Sequence, residues 1–377
     1  MRKIRAAIIG CGTISDIYMQ NLTEKYQIID LTACSDMNTE RMREQAEKYH
    51  VRAMTYPEIL KDPDIEMVIN LTTPKAHYSV TKQALEHKKH VFSEKMIAVE
   101  LEDGKELCRL AAENGVRLGV APDTFLGGSA QTARYIIEKG LIGEALSVVV
   151  SINRNYDIFG DILPHLHMRG GNVPFDVGCY FMTTLASIFG PAKRVCGFSA
   201  LHGKERTNRR IGSPWFGEKI QVESENILAC TVEYKNGILA TVHMNSETVL
   251  DERPMLEVYG TEGILVMGDQ NRFDSPVYVK KMLGDMIPFP FTHGYTDNSR
   301  GLGAAEMAWS ILQNRPHRAS MEMAYHVFEL IHAMLESAEK HQVVELKSEF
   351  LVPKPLQTGY LDNGFWGPTE ESVLMLS

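Results

Sequence analysis

The chain has 377 residues, 44% hydrophobic and 23% charged, with a formal net charge of −9. This is ordinary globular composition with room for two domains, and the acidic balance argues against a nucleic-acid surface. No apolar run reaches the roughly 18 residues of a membrane span.

An apolar strand at 4–9 runs into Gly10-Cys11-Gly12-Thr13-Ile14-Ser15, a helical segment follows at 15–25, and Asp36 closes a second apolar strand at 28–34. A dinucleotide-binding βαβ unit requires this order. Gly10 permits the tight turn, and Gly12 keeps a Cβ out of the path of a pyrophosphate. Thr13 and Ile14 lead into a helix start whose free N–H groups suit that anion. Ser15 takes the third glycine position and is small enough for close packing. Asp36 is placed to accept from the adenosine ribose hydroxyls, and its charge repels a 2′-phosphate. NAD is therefore expected over NADP, with Arg41 and Arg43 partly offsetting the repulsion. The basic start, Met1-Arg2-Lys3-Ile4-Arg5, is consumed by the first strand and is not read as a signal peptide. Six scattered cysteines with no Cys-x-x-Cys agree with a reducing, cytoplasmic setting.

Further strands are expected at 67–71, 90–92 and 116–120, with helices at 39–49, 75–87 and 99–114. Such alternation predicts an α/β domain over 1–122, a doubly wound parallel sheet with ligands beyond the carboxyl ends of its strands. Thr72-Thr73-Pro74, Glu94-Lys95 and Pro122-Asp123 occupy those ends.

Past residue 122 the texture changes. A helix at 129–139 stops at Gly140, strands are expected at 146–154, 227–234, 238–246 and 255–259, and Asn236-Gly237 marks a hairpin. Consecutive strands predict an α+β domain over 123–348 with an open, mostly antiparallel sheet; helices return at 303–313 and 321–341. The tail 349–377, with Tyr360, Phe365 and Trp366, reads as an extended arm docked on this subunit or a neighbour. A broad sheet face and an apolar tail predict a homodimer or homotetramer. The loop 201–219, with Lys204, Arg206, Arg209, Arg210 and Lys219 around Trp215, reads as a solvated surface loop; a lid over the substrate is the alternative.

Two segments carry chemistry. Glu94-Lys95 ends the fourth strand on the ligand side of the sheet. Asp176 and Tyr180, in a glycine-rich loop entering a helix, are four apart and share one helical face. Asn153, Arg154, His165 and His167 are candidates for substrate contact. No third ligand of suitable spacing accompanies His165-x-His167, so no metal site is expected.

Together these segments resemble the glucose-fructose oxidoreductase/inositol dehydrogenase (Gfo/Idh/MocA) family of NAD(P)-dependent sugar and polyol dehydrogenases. Residues 10–15 are similar to the family's fingerprint. Thr72-Thr73-Pro74-x-x-His77 resembles its Thr-Pro-x-x-x-His segment, one residue shorter. Glu94-Lys95 resembles its Glu-Lys-Pro motif, and Asp176-x-Gly178-x-Tyr180 its Asp-x-Gly-x-His/Tyr motif. Leu141-Ile142-Gly143-Glu144 and Tyr259-Gly260-Thr261-Glu262-Gly263 resemble its structural signposts. The resemblance implies a Rossmann domain with cofactor contacts at Gly10, Gly12, Thr13, Ile14, Asp36, Thr72, Thr73, Pro74, His77, Glu94 and Lys95. It also implies hydride transfer between a nicotinamide and a secondary alcohol of a sugar, glycoside or polyol.

Two departures bear on the chemistry. Met96 replaces a proline that relatives often hold in a cis peptide, which predicts a trans bond and a re-aimed Lys95. Tyr180 stands where many relatives carry histidine, and a free phenol's pKa of about 10 means it needs help to act as a base. The expected roles are Tyr180 as general acid/base, Lys95 as its electrostatic partner lowering the phenol's pKa, and Asp176 as the orienting group. An NAD-dependent glycosidase, a glycoside C3-oxidase and a non-catalytic cofactor-sensing regulator stay open; retention of all three residues argues against the last.

Overall fold

The structure, a computed structural model, describes residues 2–357 except 160, 169 and 250–254, without the side chains of Pro164 and His165. Tyr360, Phe365 and Trp366 lie outside the described residues. Six parallel strands form the first sheet: β1 (Ile4–Ile9), β2 (Ile29–Ser35), β3 (Arg52–Ala53), β4 (Met67–Asn70), β5 (His90–Ser93) and β6 (Leu118–Val120). Their order is 3-2-1-4-5-6, so the topology reverses between β1 and β4, where such sheets open a crevice. Helices α1 (Ser15–Gln20), α2 (Thr39–Lys48), α3 (Tyr56–Lys61), α4 (Pro74–Glu86) and α5 (Leu101–Asn114) connect the strands. Because both faces are covered, β1 and β4 are almost continuously buried apolar runs. The expected helix at 15–25 is α1 followed by a π-helical turn, Asn21–Lys25.

After α6 (Gly128–Glu138) come β7 (Ala145–Asn153), α7 (Cys179–Phe189), β8 (Ala192–Ala200), the hairpin strands β9 (Glu205–Thr207) and β10 (Lys219–Gln221), β11 (Ile227–Tyr234) and β12 (Leu239–Asn245). Then follow β13 (Leu256–Gly260), β14 (Gly263–Met267), β15 (Val277–Lys281), β16 (Met286–Phe289), α8 (Leu302–Leu312), α9 (Met321–Lys340) and β17 (Val344–Glu345). The second sheet runs 16-15-14-13-7-12-11-8-17. Its pairs are antiparallel except β7 with β12. Buried and exposed side chains alternate along β8 and β11, so one face meets helices and the other, with Phe198, looks outward.

The two stretches expected as signposts meet at one corner. Thr261 N–H donates to the Glu144 carbonyl (3.0 Å) and Glu262 N–H to that of Ile142 (2.9 Å). A Cβ on Gly143 would stand 2.2 Å from Thr261 Oγ1, which excludes a side chain there. Helices α8 and α9 reach back across the division expected near 122. The Val120 N–H of edge strand β6 donates to Ala319 O (3.2 Å), and α8 and α9 pack on β6. An unpaired edge strand needs such cover.

The loop 201–219 departs from a plain solvated loop. Arg206 forks onto Asp157 (3.0 and 2.9 Å), and Arg210 and Ser213 hold Asp161 (2.8 and 2.7 Å), which pins the hairpin to the segment after β7. Among the described residues, no helix is long and apolar enough to cross a membrane.

Candidate active site

The glycine loop comes first in the chain and sets the floor of the cleft. Gly10 has φ +99°, and a Cβ there would stand 2.7 Å from the Leu71 carbonyl oxygen, so the β1 turn and the end of β4 touch only through glycine. Around Gly12 nothing lies within 4 Å of a built Cβ. That open cradle fits a dinucleotide's pyrophosphate. Thr13 beside it is exposed and Ile14 half-buried.

Asp36 is held ready. Its Oδ2 accepts from Cys11 N–H (2.7 Å), and its Oδ1 accepts from Asn38 N–H and Arg41 Nη2 (both 2.8 Å). Burial works against its charge, but Arg41 and the backbone donors outweigh it and hold the carboxyl below its ordinary range. Arg41 is therefore engaged by Asp36 rather than standing free for a 2′-phosphate.

Thr72 donates through N–H and Oγ1 to Asn70 Oδ1 (3.2 and 2.6 Å), while Thr73 and Pro74 begin α4. His77, expected beside the nicotinamide, is buried, with Nδ1 2.7 Å from Met96 O and Nε2 2.9 Å from Thr72 O. It ties the loop after β4 to the loop after β5.

The Lys95–Met96 peptide is cis, against the expectation of a trans bond without proline. Glu94 accepts from Tyr18 OH at Oε1 (2.7 Å), and Lys95 reaches across to the second domain. Its Nζ donates to the Asp176 carbonyl (2.9 Å) and to Asp176 Oδ1 (2.8 Å), while Tyr156 OH donates to Asp176 Oδ2 (2.9 Å). Asp176 sits in a π-helical turn, Pro174–Gly178, directly before α7, and Tyr180 in the first turn of α7. The Lys95 ammonium lies 5.4 Å from the Tyr180 ring centroid.

Electrostatics separate the pair. Burial disfavours the Lys95 charge, but Asp176, then Tyr180, overcome it and hold the ammonium protonated well above its ordinary range. Tyr180 is also raised: burial outweighs the lowering by Lys95. The expected net depression of the phenol is therefore corrected. Asp123, buried under Gly301 N–H and Gly303 N–H (both 3.0 Å), is pushed up to about 6 by burial.

The residues proposed for substrate contact divide. Arg154 Nη2 is paired with Asp269 (2.7 Å), Asn153 Nδ2 with Ser151 Oγ (3.1 Å), and His167 is buried edge-on to Tyr156. The His165 side chain lies outside the described residues. Among those residues, no group of three or more His, Cys, Asp or Glu is placed to hold a metal.

Sequence reasoning missed Tyr18, Tyr156 and Arg300. Arg300, in the segment before α8, donates to Asn298 Oδ1 and Asn271 Oδ1 (both 2.6 Å) and lies within electrostatic reach of Tyr180, Asp123, Tyr18 and Glu94. Tyr156 follows Asn153-Arg154 by two residues, and the end of β7 was the one signal pointing to it.

A family model described as an oxidoreductase family with an NAD-binding Rossmann fold matches residues 4–121, and a GFO/IDH/MocA C-terminal domain matches residues 130–266. D-glucoside 3-dehydrogenase of Escherichia coli (strain K12) is 24% identical over 357 residues, 91% of this chain and 97% of that protein. D-xylose dehydrogenase of Paenarthrobacter nicotinovorans is 24% identical over 335 residues, 82% and 85% of the two. Levoglucosan dehydrogenase, solved with NADH and levoglucosan, shares the fold at TM-score 0.79 and 18% identity over 92% of this chain and 100% of that one.

Proposed function

The chain belongs to the GFO/IDH/MocA family of oxidoreductases, and we propose that it transfers hydride between NAD and a secondary alcohol of a sugar, glycoside or polyol. Its relatives D-xylose dehydrogenase and D-glucoside 3-dehydrogenase support a carbohydrate substrate. Bound NAD supplies the hydride acceptor. Gly10 and Gly12 leave it room, Thr13, Ile14, Thr72, Thr73, Pro74 and Glu94 border it, and Asp36 takes the ribose hydroxyls.

One observation carries the proton chemistry. An ammonium has three N–H donors; Asp176 takes two from Lys95. The third is available to an alcohol oxygen beside the Tyr180 hydroxyl. Lys95 stays charged and stabilises the developing alkoxide. Tyr180 exchanges the hydroxyl proton, and Asp176 orients Lys95. Asn153, Arg154, His165 and His167 remain the proposed border of the substrate.

The outward sheet face with Phe198 and Leu239 exposed supports a homodimer or homotetramer, and the absence of Cys-x-x-Cys spacing supports a cytoplasmic location. The test is a screen of monosaccharides, glycosides and polyols with NAD. Net NADH accumulation with at least one is expected; glycoside cleavage without net NADH, or no turnover with any, contradicts the proposal.

A further inference from the structure

We propose that Tyr156 is a positioning residue for this reaction: its hydroxyl fixes the Asp176 carboxylate so that Lys95 keeps one N–H directed at the substrate oxygen. The inference rests on the proposed function above.

In the Asp176 carboxylate, Oδ1 accepts from Lys95 (2.8 Å) and Oδ2 from the Tyr156 hydroxyl (2.9 Å). Its side chain is 24% exposed, so water competes for it. Tyr156 is 3% exposed. Its N–H donates to Ser246 O (3.1 Å), and its ring meets His167 edge-on at 6.4 Å. A phenol fixed in this way is a rigid post, whereas a carboxylate turns readily about its Cβ–Cγ bond. The Asp176 main chain is already set, because its N–H donates to Asn172 O (2.9 Å) and its carbonyl accepts from Lys95 (2.9 Å). The Tyr156 hydroxyl holds Oδ2 and so fixes the rotation of the carboxylate, and with it the direction of the third Lys95 N–H. The chain of contacts runs from the second sheet through Tyr156 and Asp176 to Lys95 at the end of β5, which joins the two domains at the reacting centre.

A merely structural role would disturb substrate KM along with kcat, whereas a positioning role acts on kcat and is lost once Asp176 can no longer pair with Lys95. In Tyr156→Phe, kcat is expected to fall about 10- to 100-fold while substrate KM stays within roughly threefold. In an Asp176→Asn background, the same change should cost nothing further. A crystal structure of Tyr156→Phe, a readout independent of turnover, should show the Asp176 carboxylate turned away from Lys95. Wild-type kcat, a KM that rises in step with the fall in kcat, an equal further loss in Asp176→Asn, or an unchanged Lys95–Asp176 contact overturns the inference. A wild-type protein inactive on every substrate sinks the proposed function instead, and the crystal structure then still decides on Tyr156.

Discussion

Lys95 and Tyr180 lie against each other, yet burial acts on them in opposite senses. It disfavours the cation, which Asp176 rescues, and it disfavours the phenolate, which Lys95 only partly rescues. Accepting a proton from an alcohol requires the phenolate; giving one to a ketone requires the phenol. Because the phenol is raised, oxidation should climb about tenfold per unit between about pH 7 and 9, while reduction stays level. Stopped-flow rates in both directions measure this, and an oxidation plateau below about pH 8 would contradict it. Lys95, Asp176 and Tyr180 were legible in the sequence because strand ends and helical spacing announce them. Tyr156 and Tyr18 were not, since their partners are 20 and 76 residues away and no local pattern encodes such a pairing. At His77 family spacing located the residue but could not say that both ring nitrogens face backbone carbonyls.

Element boundaries followed burial and periodicity closely where segments are long. The expected strand at 227–234 coincides with β11, and the helix at 321–341 ends one residue earlier as α9. Short or exposed pieces escaped. β3 is two exposed residues, α3 is six residues behind a Thr55–Glu58 capping box, and β8 carries Lys193 and Arg194 on its open side. None offers enough apolar repeats to register. The glycine loop yields a sharper test at this scale. Ala at position 10 meets Leu71 in a backbone region that disfavours it, so Gly10→Ala should lose at least about 1–2 kcal/mol and melt lower. Gly12→Ala meets nothing in the protein, so its melting temperature should hold while NAD affinity drops at least about tenfold. Thermal melts and titration calorimetry compare them; normal NAD binding by Gly12→Ala would place the pyrophosphate elsewhere.

At the scale of the molecule, the segment 349–357 is strapped down by side chains that grip its backbone. Arg134 holds Pro353 O (2.6 Å), Arg318 holds Lys354 O and Pro355 O (2.8 and 3.1 Å), and His293 meets Leu356 O (2.9 Å). Arg318 is itself fixed by Glu306, 1% exposed in its side chain, which also binds Arg315. The expectation of a docked arm rested on Tyr360, Phe365 and Trp366, which lie outside the described residues; the clasp on 353–356 comes from three distant segments that no local pattern links. Glu306→Ala strips two guanidiniums, one of them buried, of their shared carboxylate and should cost about 3–5 kcal/mol in urea unfolding; a loss below about 1 kcal/mol would mean that water replaces the carboxylate. The other long-range clasp, Lys95 to Asp176, spans the two domains and carries the proposed chemistry. Its most direct test is single-turnover NADH formation in the wild-type protein, Lys95→Ala and Tyr180→Phe with a substrate found by the screen. The account predicts that both variants bind NAD yet form NADH about 10²- to 10⁴-fold more slowly; rates equal to wild type in both would contradict it.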